Sequence, residues 1–284
     1  MPTLTIDTSA LKHNIDLVQK HARNAAVIAV LKNNGYGLGL LPFASFLQNS
    51  GIRHFAVTEI TDAVALRNSG ITGRILLLTP LYEFKDILTA IQNDIELCIT
   101  GTACARAAED AATYLNRIAV PAQLCIDTGF GRYGFLPNES EKIRDTVNTM
   151  SHIHICGIFS HLHASACKNA SCVRRQYAAF NTLCETLSTE GLSLGMRHIS
   201  SSSSLLRFPE MNLDAVRIGS AFLGRLAVSD TAGFQEVCHL EARVTDIHTL
   251  PAGHNVGYGN SYRLKHPAIT AVPSCISFAN SDSC

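Results

Sequence analysis

Lys32 stands where an apolar run ends. The segment Ala29-Val30-Leu31-Lys32-Asn33-Asn34-Gly35-Tyr36-Gly37 carries one lysine out of a strand-like stretch and, four residues on, a tyrosine into a glycine-bearing turn. An ammonium group buried without a partner costs several kcal/mol. Two readings of this lysine are open. It snorkels from the strand end to water, or its amine forms a Schiff base with a carbonyl cofactor.

Other chemistry-bearing residues follow later apolar runs. Arg132 sits in Asp127-Thr128-Gly129-Phe130-Gly131-Arg132-Tyr133-Gly134, and His161 follows Ile158-Phe159-Ser160. His198 precedes the serine run 200–204, and Arg217 is followed by Ile218-Gly219-Ser220. Singly, each reads as a cap, a core histidine or a surface arginine. If the fold gathers them at one end, they make a cationic, hydroxyl-rich mouth. Serine hydroxyls and backbone N–H groups of a glycine-bearing turn suit a phosphate.

The elements that must gather them are legible as a rhythm. Candidate strands fall at 26–31, 54–57, 75–79, 95–99, 123–126, 153–160, 196–199 and 215–218. Amphipathic stretches lie between them at 40–50, 60–68, 83–92, 103–112, 141–150 and 171–190, with a shorter one at 203–207. Repeated strand–helix units with right-handed crossovers predict a parallel sheet. Eight such units predict an α/β fold, a (β/α)8 TIM-type barrel, with each chemical residue at the C-terminal end of a strand. No G-x-G-x-x-G follows the first strand, which weighs against a dinucleotide fold. A strand–helix element over 4–22 precedes the first unit.

The character changes near residue 235. The segment 236–250 alternates without a helical stripe, and Val256-Gly257-Tyr258-Gly259-Asn260-Ser261-Tyr262 reads as strand and turn. The expected division is a barrel over 1–230 and the beginning of an all-β domain over 231–284. So few residues in two or three strands do not easily enclose a core.

Composition excludes several functions. The 284 residues carry 23 Lys+Arg and 23 Asp+Glu, so no polyanion track is offered. No apolar run reaches the roughly 18 residues of a membrane span, and the N-terminus lacks the basic head and apolar core of a signal peptide. The ten cysteines contain no CxxC pair and several sit in apolar strands, which fits reduced, buried thiols and a cytoplasmic location. Among twelve histidines, His152, His154, His161 and His163 cluster, but no carboxylate or cysteine joins them at zinc-site spacing, so no metal is expected.

On these segments the chain resembles the fold-type III family of pyridoxal-phosphate enzymes and, within it, the alanine racemases, over about residues 2–270. VLKNNGYGLG resembles A-V-x-K-A-N-A-Y-G-H-G, which implies Lys32 as the Schiff-base lysine and Tyr36 near the cofactor phosphate. DTGFGRYG is similar to D-T-G-M-G-R-x-G and implies a substrate-side role for Arg132. IFSHLHASA resembles the loop of the ring-stacking histidine, here His161. HISSSSSLL resembles H-x-x-N-S, giving His198 and a phosphate-binding Ser202. VRIGSAFLG resembles V-R-x-G-x-x-L-Y-G, giving Arg217 against the pyridine nitrogen and Gly219 and Ser220 near the phosphate. VGYGNSY resembles V-S-Y-G-x-T-Y and implies Tyr258 as the second catalytic base beside Lys32.

The resemblance implies pyridoxal 5'-phosphate as cofactor, a small amino acid as substrate, interconversion of L- and D-alanine by two bases, and a head-to-tail homodimer. No nucleic-acid or membrane partner is implied. The chain departs from the pattern at Cys125, where the family carries a lysine, often carbamylated, that orients the substrate-side arginine. It departs again at Ser201, where the family has asparagine. The later G-Y-A-D-G and C-M-D segments have no counterpart in 274–284. The expectation is a second domain shortened at its C-terminus, with cofactor binding kept and racemisation weak. Competing readings are a racemase of serine or another amino acid, and a non-catalytic pyridoxal-phosphate homeostasis protein. A decarboxylase of the same fold type fits less well.

Overall fold

The computed structural model describes residues 3–167, 169–227 and 232–274. The chain divides into two compact units, Thr8–Glu236 and a second formed by Met1–Asp7 with Val237–Cys284. The expected boundary at 230/231 and the polar tail beyond Ser274, with Cys275 and Cys284, lie outside the described residues.

The strands in chain order are β1 (Thr3–Ile6), β2 (Ala26–Val30), β3 (His54–Val57), β4 (Arg74–Leu77), β5 (Leu97–Ile99), β6 (Val120–Cys125), β7 (Ile153–Phe159), β8 (Met196–Ser201) and β9 (Ala215–Ile218). They are followed by β10 (Cys238–Glu241), β11 (Val244–Leu250), β12 (Asn255–Val256), β13 (Tyr262–Arg263) and β14 (Ala268–Pro273). Strands β2 to β9 form one parallel sheet in the order β4-β3-β2-β9-β8-β7-β6-β5. A parallel bridge from Leu76 to Glu96 joins its two outer strands, so the sheet closes into the barrel that the strand rhythm predicts.

The eight strands stand where the apolar runs place them, with ends shifted by a few residues. The helices Leu40–Asn49, Ile60–Asn68, Phe84–Gln92, Thr102–Tyr114, Ser140–Asn148 and Ser171–Thr189 fill the amphipathic intervals. Helix Ile60–Asn68 buries only Ala63 and Leu66, and packing on the sheet sustains it. The barrel interior is packed by Ile28, Val30, Ala56, Leu76, Cys98, Cys125, Phe159 and Ala215, one residue or two from each of seven strands. Cys104 and Cys184 are buried as well.

Among the described residues the other unit is three antiparallel pairs: β1 with β10, β11 with β14, and β12 with β13. The β11–β14 pair runs from Leu250 opposite Ala268 to Val244 opposite Pro273, with one irregularity between Val244 and Asp246.

Candidate active site

The turn after β2 aims the first chemical residues. Asn33, Asn34, Gly35, Tyr36 and Gly37 all have positive φ, between 51° and 91°, so the chain winds one left-handed turn. Each ordinary residue in that region costs about 1–2 kcal/mol, least for Gly and Asn, which is why Asn-Asn-Gly stands here. Asn34 pins the turn by accepting from the Leu40 N–H at 2.9 Å.

The turn lifts Lys32 out of the barrel wall, and the residue is exposed. The burial cost invoked from the sequence is therefore absent. The company Lys32 keeps is what gives it chemical meaning. Among the described residues its ammonium has no carboxylate within ion-pair distance.

A cavity of about 210 Å³ opens at the C-terminal ends of the strands. Lys32, Tyr36, Arg132, His161, Ser202, Arg217, Gly219 and Ser220 all line it, so eight of the ten residues singled out by sequence share one wall-to-wall site. His198 does not line it. The sequence reading ends that strand at 199 and puts His198 at its mouth end, but β8 runs on to Ser201 and leaves the imidazole inside the barrel, fully buried behind Arg217. Tyr258 belongs to the β unit, where it opens the short turn Tyr258–Asn260 and is 95% exposed.

Gly219 is glycine for a steric reason. A Cβ there would lie 2.0 Å from the Tyr36 hydroxyl, so the tyrosine's ring lies against the turn after β9. Ser202 ties that same turn to the end of β8, its Oγ accepting from the N–H groups of Gly219 and Ala221, each at 3.2 Å. One wall is thus hydroxyl and backbone, from Tyr36, Ser201, Ser202, Ser203 and Ser220.

The opposite side is guanidinium and imidazole. Arg217 is 5% exposed and its Nη atoms are fully engaged. Nη1 donates to His198 Nδ1 at 2.8 Å and to the His198 carbonyl at 3.2 Å. Nη2 donates to the Ser160 carbonyl at 2.6 Å and to His161 Nδ1 at 3.1 Å. Burial lowers Arg217 to about 10, which leaves it protonated at neutral pH. Burial, followed by the charges of Arg217, Arg132 and Lys32, drives His161 down to about 3. Its ring is therefore neutral and accepts from Arg217.

Arg132 is held by its loop. The Asp127 carboxylate accepts from the N–H groups of Gly129, Phe130, Gly131 and Arg132, at 2.8–3.1 Å. Burial acts to raise Asp127, but these bonds win and hold it below the usual carboxylate range. The guanidinium lies over two rings, 4.7 Å from the centroids of both Phe130 and Tyr133. Cys125 is buried, and its thiol points to the Tyr133 carbonyl at 3.7 Å. Aromatic faces, not an anion, keep Arg132 in place among the described residues.

Sequence reasoning missed Tyr133, Thr58 and Phe159 as lining residues. Tyr133 was visible inside the quoted glycine-rich motif, and its hydroxyl donates to the Leu78 carbonyl at 2.9 Å. The cavity thus offers three cationic side chains, several hydroxyls and no aspartate or glutamate. That donor set fits a small molecule bearing a phosphate and a carboxylate.

The alanine racemase N-terminal domain family matches residues 6–226. The alanine racemase of Desulfosudis oleivorans is 30% identical over 285 residues, covering 95% of this chain and 72% of that protein. That of Clostridium perfringens is 30% identical over 277 residues, covering 94% and 70%. The crystal structure of alanine racemase from Streptomyces lavendulae superposes with a TM-score of 0.85 at 28% identity, covering 95% of this chain and 72% of that one. With its barrel, its lysine turn and its cationic mouth, this chain belongs to the alanine racemase family.

Proposed function

We propose that this chain is a pyridoxal-phosphate-dependent racemase that interconverts L- and D-alanine. One observation carries the reading. Lys32, Arg132 and Arg217 surround a single cavity that contains no carboxylate, opposite a wall of hydroxyls. Three unpaired cations in one pocket call for an anionic occupant. A phosphorylated cofactor and an amino-acid carboxylate supply that negative charge.

Pyridoxal phosphate, when bound, supplies the electron sink that acidifies the α C–H of an amino acid. In this reading Ser202, Ser220, Tyr36 and the turn at Gly219 hold its phosphate, and Lys32 holds its carbonyl carbon. Arg217 sits against the ring nitrogen. A guanidinium gives up no proton at neutral pH, so that nitrogen stays unprotonated and side reactions such as transamination are restrained. His161 packs beside the ring, and Arg132 receives the substrate carboxylate. His198 buttresses Arg217.

Racemisation needs a base on each face of the α carbon. Lys32 Nζ serves one face. Tyr258 serves the other in this reading, assisted through His161 and Arg217, and it is brought in by a second copy of the chain in a head-to-tail homodimer. A cytoplasmic location belongs to the same reading. Among the described residues no helix is long and apolar enough to cross a membrane.

The experiment is direct. The purified chain is loaded with pyridoxal phosphate, reduced with borohydride and digested, and alanine racemisation is assayed in parallel. The expected result is cofactor fixed to the Lys32 peptide and racemisation of alanine faster than of serine. Fixation on another lysine, or turnover with no preference for alanine, sinks the reading.

A further inference from the structure

Behind Arg217 a line of buried polar side chains runs down through the barrel. Arg217 Nη1 meets His198 Nδ1 at 2.8 Å. His198 Nε2 meets Gln123 Oε1 at 2.6 Å, and Gln123 Nε2 donates to Glu96 Oε2 at 2.6 Å. Glu96 pairs with the Arg74 Nε–H. Glu96 precedes β5 and Arg74 opens β4, so the line begins at the N-terminal ends of the strands and finishes at the mouth. Glu96, Gln123, His198 and Arg217 are each at most 5% exposed.

The backbone is shaped around this line. The β6–β7 register slips between Ala122 and Gln123, so that Ala122 faces Ile155 and Gln123 faces Gly157, with Cys156 as the extra residue. Gly157 leaves the space that Gln123 occupies, because a Cβ there would lie 2.6 Å from Gln123 Oε1. The β8–β9 register slips as well, between His198 and Ser200. Bulges of this kind re-aim side chains next to functional sites.

Only one arrangement of hydrogens satisfies the chain. The Glu96 carboxylate is acceptor-only, so the Gln123 amide must turn its NH2 toward it. That turn points the Gln123 carbonyl at His198 Nε2, which must then carry the ring hydrogen. Nδ1 is left as an acceptor and takes a hydrogen from Arg217 Nη1. The opposite tautomer would set Nδ1–H against the guanidinium N–H at the same 2.8 Å and push Arg217 off its seat. With both Nη atoms engaged, Nε is the Arg217 nitrogen left without a partner among the described residues, and the side chain lines the cavity.

We infer that Glu96, acting through Gln123, is a positioning residue of the active site: it fixes the tautomer of His198 and thereby the seat and presentation of Arg217. This rests on the proposed function only for its catalytic consequence. The tautomer itself is a property of the chain without cofactor.

The test therefore has two arms. Nitrogen-15 NMR of the imidazole rings in the cofactor-free chain reads the His198 tautomer in the wild type, in Gln123→Met and in Glu96→Gln. The expected result is a pure Nε2–H tautomer in the wild type and a mixture in Gln123→Met. Glu96→Gln, which keeps size and surroundings, shifts the same signals by less and keeps the test alive if the methionine variant fails to fold. In the second arm, the loaded variants lose on the order of 10-fold in kcat for alanine with KM little changed, as expected of a displaced group. A His198 ring that stays pure Nε2–H in both folded variants overturns the inference. If cofactor fails to bind at all, the first arm still decides it.

Discussion

The barrel and the β unit treat their strands in opposite ways. In β9 all four residues are buried, and in β3 and β4 every residue after the first is. In β11 six of seven residues are exposed. Ile247 and Ile269 are 64% and 74% exposed, where apolar residues at the middle of a barrel strand, such as Ala29 and Ile75, show none of their surface. Closure accounts for the barrel's behaviour, because a closed sheet covered by helices has no free edge and no wet face. A rigid, dry wall can hold Arg217 by four hydrogen bonds and keep two imidazoles neutral. The open pairs of the β unit instead carry a catalytic candidate, Tyr258, on an exposed turn. In the proposed reading the preorganised barrel holds the cofactor and one base, Lys32, and the exposed turn supplies the other.

The sharpest way to break this division is to remove one base from each region. Lys32→Ala should abolish borohydride-fixed cofactor and cut racemisation by about 10²–10⁴-fold, the range for a positioned acid–base group. Tyr258→Phe should cut racemisation within the same range while leaving cofactor binding and spectrum untouched. Binding lost with Tyr258→Phe, or turnover unchanged, would show that the two regions do not divide the work in this way.

Stability should follow the barrel. Phe159 is buried against His198, with ring centroids 5.2 Å apart, and Arg217 lies 5.3 Å from its ring. Phe159→Ala should lower unfolding free energy by about 3–5 kcal/mol, as other buried aromatic truncations do. Denaturant titration measures it, and a loss under about 1 kcal/mol would mean the barrel interior relaxes far more than its packing suggests.

Acid should also act on the barrel first. His161 falls to about 3 and His198 lies well below its ordinary 6.5, in both cases through burial first and the Arg217 charge next. For His161 the window runs from about 6.5 to 3, where the unfolded chain binds a proton that the folded chain refuses, and His198 acts in the same direction. Unfolding free energy therefore rises with pH across that window and is lost as pH falls, by at most about 1.4 kcal/mol per pH unit for each histidine. His161→Gln should flatten the slope by one proton's worth. Melting curves of the two proteins that stay parallel from pH 6.5 downward would contradict the neutral-histidine picture.

The smallest effect belongs to the β unit. Ile247→Thr, on an exposed face, should move stability by no more than about 0.5 kcal/mol. A larger loss, growing with protein concentration, would show that a second copy covers this face.

Local chemistry was readable along the chain. Apolar runs of strand length between amphipathic stretches located all eight barrel strands, since each buried parallel strand must be apolar whatever surrounds it. Asn33-Asn34-Gly35 announced a turn that only such residues make cheaply, and the Asp127 loop was legible as a glycine-rich motif. Strand ends also pointed to the mouth, because every crossover in a barrel has the same hand. The long-range pairings were not readable. Glu96 and Gln123 look like ordinary polar residues at the edge and middle of strands, and nothing local says that they face inward and meet. The line from Glu96 through Gln123 to His198 exists only because closure brings residues 27 and 75 positions apart within 2.6 Å. The same holds for Arg132, whose anchoring by two rings depends on how its loop folds back, and for Lys32, whose exposure is set by a left-handed turn. Sequence determined which side chains are present at the strand ends, through propensity and pattern. Tertiary structure decided which of them share hydrogens and which keep their charge, because burial and distance act across the whole barrel.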